Sequence, residues 1–135
     1  MSGKAFIDTN ILVYAFFDNS KARTADAVMS RGGVISVQIL NEYANVCRRK
    51  LMLDWPVIED RIRAICEALP EVVPLTFDHH VKAVALARNH SFAIYDALLI
   101  ACALSAGCTR LITEDMQHGR IINGLTIENP FTALS

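Results

Sequence analysis

Short unbroken apolar runs alternate along the chain with longer stretches in which apolar residues recur every three or four positions. The runs Ala5-Phe6-Ile7, Val34-Ile35, Arg110-Leu111-Ile112-Thr113 and Leu125-Thr126-Ile127 have the length and character of buried strands. Val72-Val73-Pro74-Leu75 reads as a strand at a sheet edge, because its proline cannot donate to a central ladder. Between the runs, Ala22, Ala25, Val28 and Met29 mark a helix from about Ser20 to Ser30, stopped by Gly32-Gly33. Ser36 can cap a helix whose apolar side is Ile39, Leu40, Tyr43, Ala44, Val46, Cys47 and Leu51.

Asp54-Trp55-Pro56 has the form of a cap with proline near the first helical position, opening a helix through Ile58, Ile62, Ile65 and Leu69 that Pro70 closes. Thr76 caps the next, through Val81, Val84, Ala85 and Ala87 to Ser91. From Tyr95 to Ala106 the chain is apolar nearly all round, which predicts a buried helix, and Gly107 stands where a left-handed C-terminal cap belongs. Strands alternating with helices predict an α/β fold, with a mainly parallel central sheet flanked by helices on both faces. No repeat, low-complexity tract or linker interrupts the pattern, so residues 1–135 are expected to form one domain.

Composition narrows the function without naming it. The net charge of −1 provides no broad cationic field for nucleic acid, so such a substrate would need a local patch, such as Arg48-Arg49-Lys50, or a bound cation. Basic residues in a helix's last turn are also what the helix dipole favours. The four cysteines, Cys47, Cys66, Cys102 and Cys108, lack zinc-site spacing and point to reduced thiols and a cytoplasmic setting. No run approaches the roughly 20 apolar residues of a membrane span, and the first eight residues lack a signal peptide's apolar stretch.

Candidate chemistry lies in the acids. Open parallel sheets bind ligands beyond the carboxyl ends of their strands. Asp8 and Asp115 follow two expected strands, and Glu42 and Asp96 lie near the starts of two helices, so topology can bring all four to one rim. Carboxylates crowded there raise one another's pKa unless a cation lies among them, and magnesium is the hard ion that takes such oxygens. Helix dipoles at Glu42 and Asp96 are expected to help keep both ionised. Each acid also has a structural reading: Asp8 as a turn former with Asn10, Asp96 as a helix cap, Glu42 as a solvated helix position, and Asp115 as the start of a short helix, with Glu114 a competing candidate for its place in the site. The side chains of His79 and His80 diverge by about 100° on a helix, which argues against a shared metal site. His118, near Asp115, reads as a loop histidine.

Four blocks in order carry a family resemblance: Phe6-Ile7-Asp8-Thr9-Asn10-Ile11-Leu12, Ser36 followed by Asn41-Glu42, Tyr95-Asp96-Ala97-Leu98, and Leu111-Ile112-Thr113-Glu114-Asp115-Met116-Gln117-His118-Gly119. Over nearly its whole length the chain resembles PIN-domain ribonucleases, especially the VapC-like toxins of toxin–antitoxin pairs. The resemblance implies a metal site of Asp8, Glu42, Asp96 and Asp115, with Thr113 and Asn10 as polar neighbours and magnesium as the ion, manganese being able to substitute. It implies an RNA phosphodiester as substrate, a homodimer, and a small antitoxin that plugs the acidic site. A covalent aspartyl phosphatase is disfavoured because Asn10 stands where its second aspartate belongs, and a phosphoacceptor domain because no acidic pair precedes the first turn. The remaining alternative is a PIN fold that binds RNA or protein without cutting.

Overall fold

In a computed structural model that describes residues 3–17 and 19–132, twelve elements alternate much as the sequence predicts. Strand β1 (Ala5–Ile7) leads into α1 (Thr9–Tyr14) and α2 (Ser20–Ser30); β2 (Val34–Ser36) leads into α3 (Val37–Arg49) and α4 (Trp55–Ala68). Then come β3 (Glu71–Val73), α5 (Phe77–His90), α6 (Ile94–Ser105), β4 (Arg110–Ile112), β5 (Ile121–Ile122) and β6 (Leu125–Glu128). They form one six-stranded sheet in the order β3-β2-β1-β4-β6-β5, parallel except where β5 pairs with β6.

All three residues of β1 and of β2 are buried although successive side chains point to opposite faces, so helices cover both sides of the sheet centre. Phe6, Ile7, Val34, Ile35, Leu111 and Ile127 form the middle of the core, with Ile39 and Tyr43 of α3 and Ala97, Ile100 and Ala101 of α6 packed against it. Gly33 is required by this packing. A Cβ there would lie 2.8 Å from Ile7 Cδ1 and 2.9 Å from the Ala5 carbonyl oxygen, and β2 could not close on β1.

Several helix ends follow the sequence signals. Ser36 accepts from the Ile39 amide at 3.3 Å, and Thr76 accepts from the His79 amide at 3.2 Å. His79 returns the contact, its ring nitrogen accepting from the Thr76 amide, so this buried histidine is half of a capping box. After α6 the Gly107 amide donates to Leu104 and the Cys108 amide to Ala103, with Gly107 at φ +78°, which is a Schellman end.

Three details depart from expectation. The edge strand β3 starts at Glu71 and ends at Val73, leaving Pro74 outside the ladder it could not have joined. The chain after Asp8 becomes a short helix, α1. Strand β5 was not predicted; it is the first arm of a hairpin turned by Asn123 (φ +50°) and Gly124 (φ +85°). Both turn residues are left-handed, as a type I′ turn requires. The described cysteines are free, and burial pushes the Cys102 and Cys108 thiols up to about 11. Among the described residues no helix is long and apolar enough to cross a membrane.

Candidate metal centre

Strand order reverses between β1 and β4: the chain runs outward from β1 to β2 and β3 on one side, and from β4 to the last strands on the other. Such a switch point leaves a crevice at the strands' carboxyl ends. Asp8 and Thr113 are the first residues beyond β1 and β4 and lie side by side, because Ile7 pairs with Ile112 and the Asp8 amide continues the ladder to the Ile112 carbonyl at 3.0 Å. A cavity of about 570 Å³ opens there. Asp8, Glu42, Asp96 and Asp115 all line it, as do Asn10 and Glu114.

The buried Asp8 carboxylate is held at three points. One oxygen accepts from the Thr9 amide at 2.7 Å; the other accepts from the Thr113 hydroxyl at 2.7 Å and the Asn10 amide nitrogen at 3.4 Å. Asp8 is thus the N-cap of a short helix, α1, where the sequence suggested a turn formed with Asn10, while its second oxygen faces the cavity's polar cluster. Thr113 turns its hydroxyl oxygen to the Asp115 amide at 3.1 Å, fixing the turn that carries Asp115. Asp115 accepts from the Asn10 side chain at 3.1 Å. Glu42, one turn into α3, accepts from the Thr9 hydroxyl at 2.9 Å and from Gln38 at 3.4 Å.

Asp96 occupies the third position of α6 and makes no capping bond; Ala93 is the N-cap. The capping role anticipated for it is therefore not the one it plays. Its carboxyl points into the shared field instead: burial foremost, then the charges of Asp115 and Glu42, raise its pKa. The first-turn dipole does not prevail over those terms. Glu42 lies beyond the first turn, outside the dipole's reach. At Asp8 burial is the largest cause, and it outweighs the Thr113 and Thr9 hydrogen bonds; the Glu42 and Asp115 charges add to it, and the pKa rises to about 6.

Among the described residues, five carboxylates and one ammonium, that of Lys50, line this cavity. The charges of Glu42 and Asp115 bear on both Asp8 and Asp96, and one lysine does not balance them, which is the electrostatic signature of a site that wants more positive charge. Among the described residues no three His, Cys, Asp or Glu side chains stand close enough to enclose an ion by themselves. Magnesium takes one or two carboxylates and completes its octahedron with water and substrate oxygens, so its site needs no full protein cage. The donors are hard oxygens throughout, and they fit it.

The other candidates resolve differently. Glu114 is drawn away from Asp115: burial pushes its pKa up, but hydrogen bonds from Lys21 and Tyr14 and the Lys21 charge outweigh this and leave it lowered. His118 accepts from the Asn129 amide at 2.9 Å and serves its loop. Arg48 donates to the Leu53 carbonyl and stacks over Trp55, so of the basic trio only Lys50 reaches the cavity. Thr9, Gln38, Tyr14 and Lys21 were not anticipated. Thr9 adjoins Asp8, and that adjacency was its one sequence signal; Lys21 had none.

A three-layered α/β protein with an acidic cavity at its sheet's switch point is the class these features define. The chain belongs to the PIN domain family, whose sequence model matches residues 5–122. Among curated proteins no sequence matches. Similar solved structures include a toxin–antitoxin complex from Klebsiella pneumoniae (TM-score 0.72, 22% identity, covering 94% of this chain and 98% of that one). VapBC2 of Rickettsia felis bound to a promoter DNA fragment is similar at TM-score 0.66 and 19% identity, over 93% of this chain and 97% of that one. VapC20 of Mycobacterium tuberculosis, a toxin that cleaves the sarcin–ricin loop, is similar at TM-score 0.63 and 16% identity, over 80% and 87% of the two chains. At these identities the likeness is one of fold.

Proposed function

We propose that residues 1–135 act as one PIN domain that is a magnesium-dependent endoribonuclease, the toxin half of a toxin–antitoxin pair. The observation that carries this reading is the convergence of Asp8, Glu42, Asp96 and Asp115 on one cavity at the switch point, where the charges of Glu42 and Asp115 bear on Asp8 and Asp96 and Lys50 is the single lining cation among the described residues. These four residues are the ones that would hold the ion, one or two of them directly and the rest through its waters, with manganese able to replace magnesium. When bound, it supplies a water acidic enough to attack a phosphodiester and a positive charge against the phosphate oxygens.

The chain's own residues prepare that chemistry. Thr9 and Thr113 fix the Asp8 carboxylate, so its oxygens are set before an ion arrives. Thr113 and Asn10 together hold Asp115 across from it. The cavity's flank of Val46, Leu51, Leu98 and Cys102 adds an apolar wall beside the acidic end. That combination suits a small antitoxin whose apolar segment covers the wall while a basic side chain enters the acids. A cytoplasmic homodimer, the assembly implied by the family resemblance, belongs to the same proposal.

The deciding experiment incubates the purified protein with labelled single-stranded RNA in magnesium or manganese, with EDTA and a folded Asp96→Asn variant as controls. Cleavage by the wild type alone is the expected result. Absence of cleavage in either metal, with cellular RNA as well as a generic strand, overturns the reading in favour of a non-cleaving binding module.

A further inference from the structure

Glu114 lies between Thr113 and Asp115 and lines the same cavity, yet its side chain is anchored elsewhere. One oxygen accepts from the Tyr14 hydroxyl at 2.7 Å and the other from the Lys21 ammonium at 2.5 Å. Lys21 also donates to the Tyr14 hydroxyl at 3.3 Å and stands 4.5 Å from the Tyr14 ring centroid and 5.2 Å from that of Phe131. Tyr14 meets Phe17 and Phe131 edge to face, which fixes the ring that orients the pair. Lys21 is the second residue of α2, where the helix dipole disfavours a cation. Its place there is bought by the contacts with Glu114 and the two rings.

Backbone geometry completes the arrangement. The Glu114 amide donates to the Asn10 side-chain oxygen at 3.3 Å, which leaves the Asn10 amide nitrogen for Asp115 and Asp8. Glu114 is therefore held by both its backbone and its side chain. Adjacent residues 114 and 115 both carry carboxylates, and only the second is left turned toward Asn10.

We propose that Lys21 is a positioning residue that keeps Glu114 out of the acidic centre, so that Asp115 is the acid this turn supplies. The inference rests on the metal-centre reading above. Without Lys21 the Tyr14 hydroxyl alone holds the Glu114 side chain, and its carboxylate can swing toward the four converging acids, adding charge and a competing oxygen donor. A metal is then held more tightly and in the wrong place.

The test is calorimetric titration of manganese into the full chain, alongside RNA cleavage at saturating metal. In Lys21→Met, manganese affinity is expected to rise roughly tenfold, the scale of one added charge a few ångströms away in a partly solvated pocket. Cleavage falls in the same variant. Lys21→Arg behaves as the wild type, and adding Glu114→Gln to Lys21→Met restores the wild-type affinity. If Lys21 serves stability alone, Lys21→Met lowers the melting temperature with affinity unchanged, and the proposal is wrong. Should Lys21→Met not fold, Glu114→Gln alone decides: unchanged affinity supports the proposal, and weakened affinity makes Glu114 a ligand and overturns it. A wild type that binds no manganese removes the metal-centre reading and this inference together, whereas wild-type binding that is indifferent to Lys21 and Glu114 removes this inference only.

Discussion

The Thr113 hydroxyl donates to the Asp8 carboxylate at 2.7 Å across the seam between β1 and β4, although 105 residues separate the two in sequence. The same oxygen accepts from the Asp115 amide, so one hydroxyl ties two of the four converging acids together.

Thr113→Val keeps the shape and removes both contacts. The buried Asp8 carboxylate loses a hydrogen bond that favours its charged form, and the backbone amide of the exposed Asp115 loses its acceptor. Unfolding free energy should fall by roughly 1–3 kcal/mol, the cost of stranding a buried polar partner. RNA cleavage should fall more than tenfold, while Thr113→Ser retains most of both. Equal stability of Thr113→Val and wild type in urea would contradict the account.

Asp8 makes stability depend on pH in a defined direction. Its folded pKa of about 6 lies above the ordinary value of 3.8, so between these values the folded state binds more protons than the unfolded state. Stability of the metal-free protein should therefore fall as pH rises from about 4 to about 6, by up to roughly 3 kcal/mol from this one group, and stay low above. Asp96, also raised, adds in the same sense. Asp8→Asn should flatten the slope and make the metal-free protein more stable than wild type at pH 8, even as cleavage is lost. Magnesium should restore wild-type stability at that pH. Thermal melts from pH 4 to 8 in EDTA and in magnesium measure all three effects.

Away from the cavity, Arg110 of β4 grips Glu128 of β6 with two nitrogens, at 3.1 and 2.8 Å, in a pair less than a quarter exposed. Removing one partner leaves the other charge partly buried. Arg110→Met should cost roughly 2 kcal/mol of stability with metal affinity unchanged. A large loss of metal affinity in this variant would mean that strand pairing and site are more tightly coupled than the geometry implies.

Much of this was readable from the chain because local signals and global fold agree. Phe6-Ile7 before Asp8 and Leu111-Ile112 before Thr113 are apolar runs ending in polar residues, so strand ends and site residues announce each other. The helix caps Ser36 and Thr76 and the end at Gly107 were equally plain. The β5–β6 hairpin was missed although Asn123-Gly124 between Ile122 and Leu125 is a strong hairpin signal, because a first arm of two residues is too short to show as a strand. What no local pattern carries is the partnering of Lys21 with Glu114, or of Thr9 with Glu42. Those depend on how helices from distant parts of the chain lie against one another. The capping reading of Asp96 failed for a related reason, because only the sheet order shows that α6 starts beside Asp115 and Glu42.

The strand order has a consequence for synthesis. β4 lies at the middle of the sheet but comes late in the chain, after all six helices. A growing chain can expose Asp8, Glu42 and Asp96 long before Thr113 and Asp115 leave the ribosome. Until then Asp8 lacks its threonine partner and β1 lacks a neighbour on one side. A chain still on the ribosome therefore cannot complete the cavity, and whatever chemistry the finished site carries waits for the last quarter of synthesis.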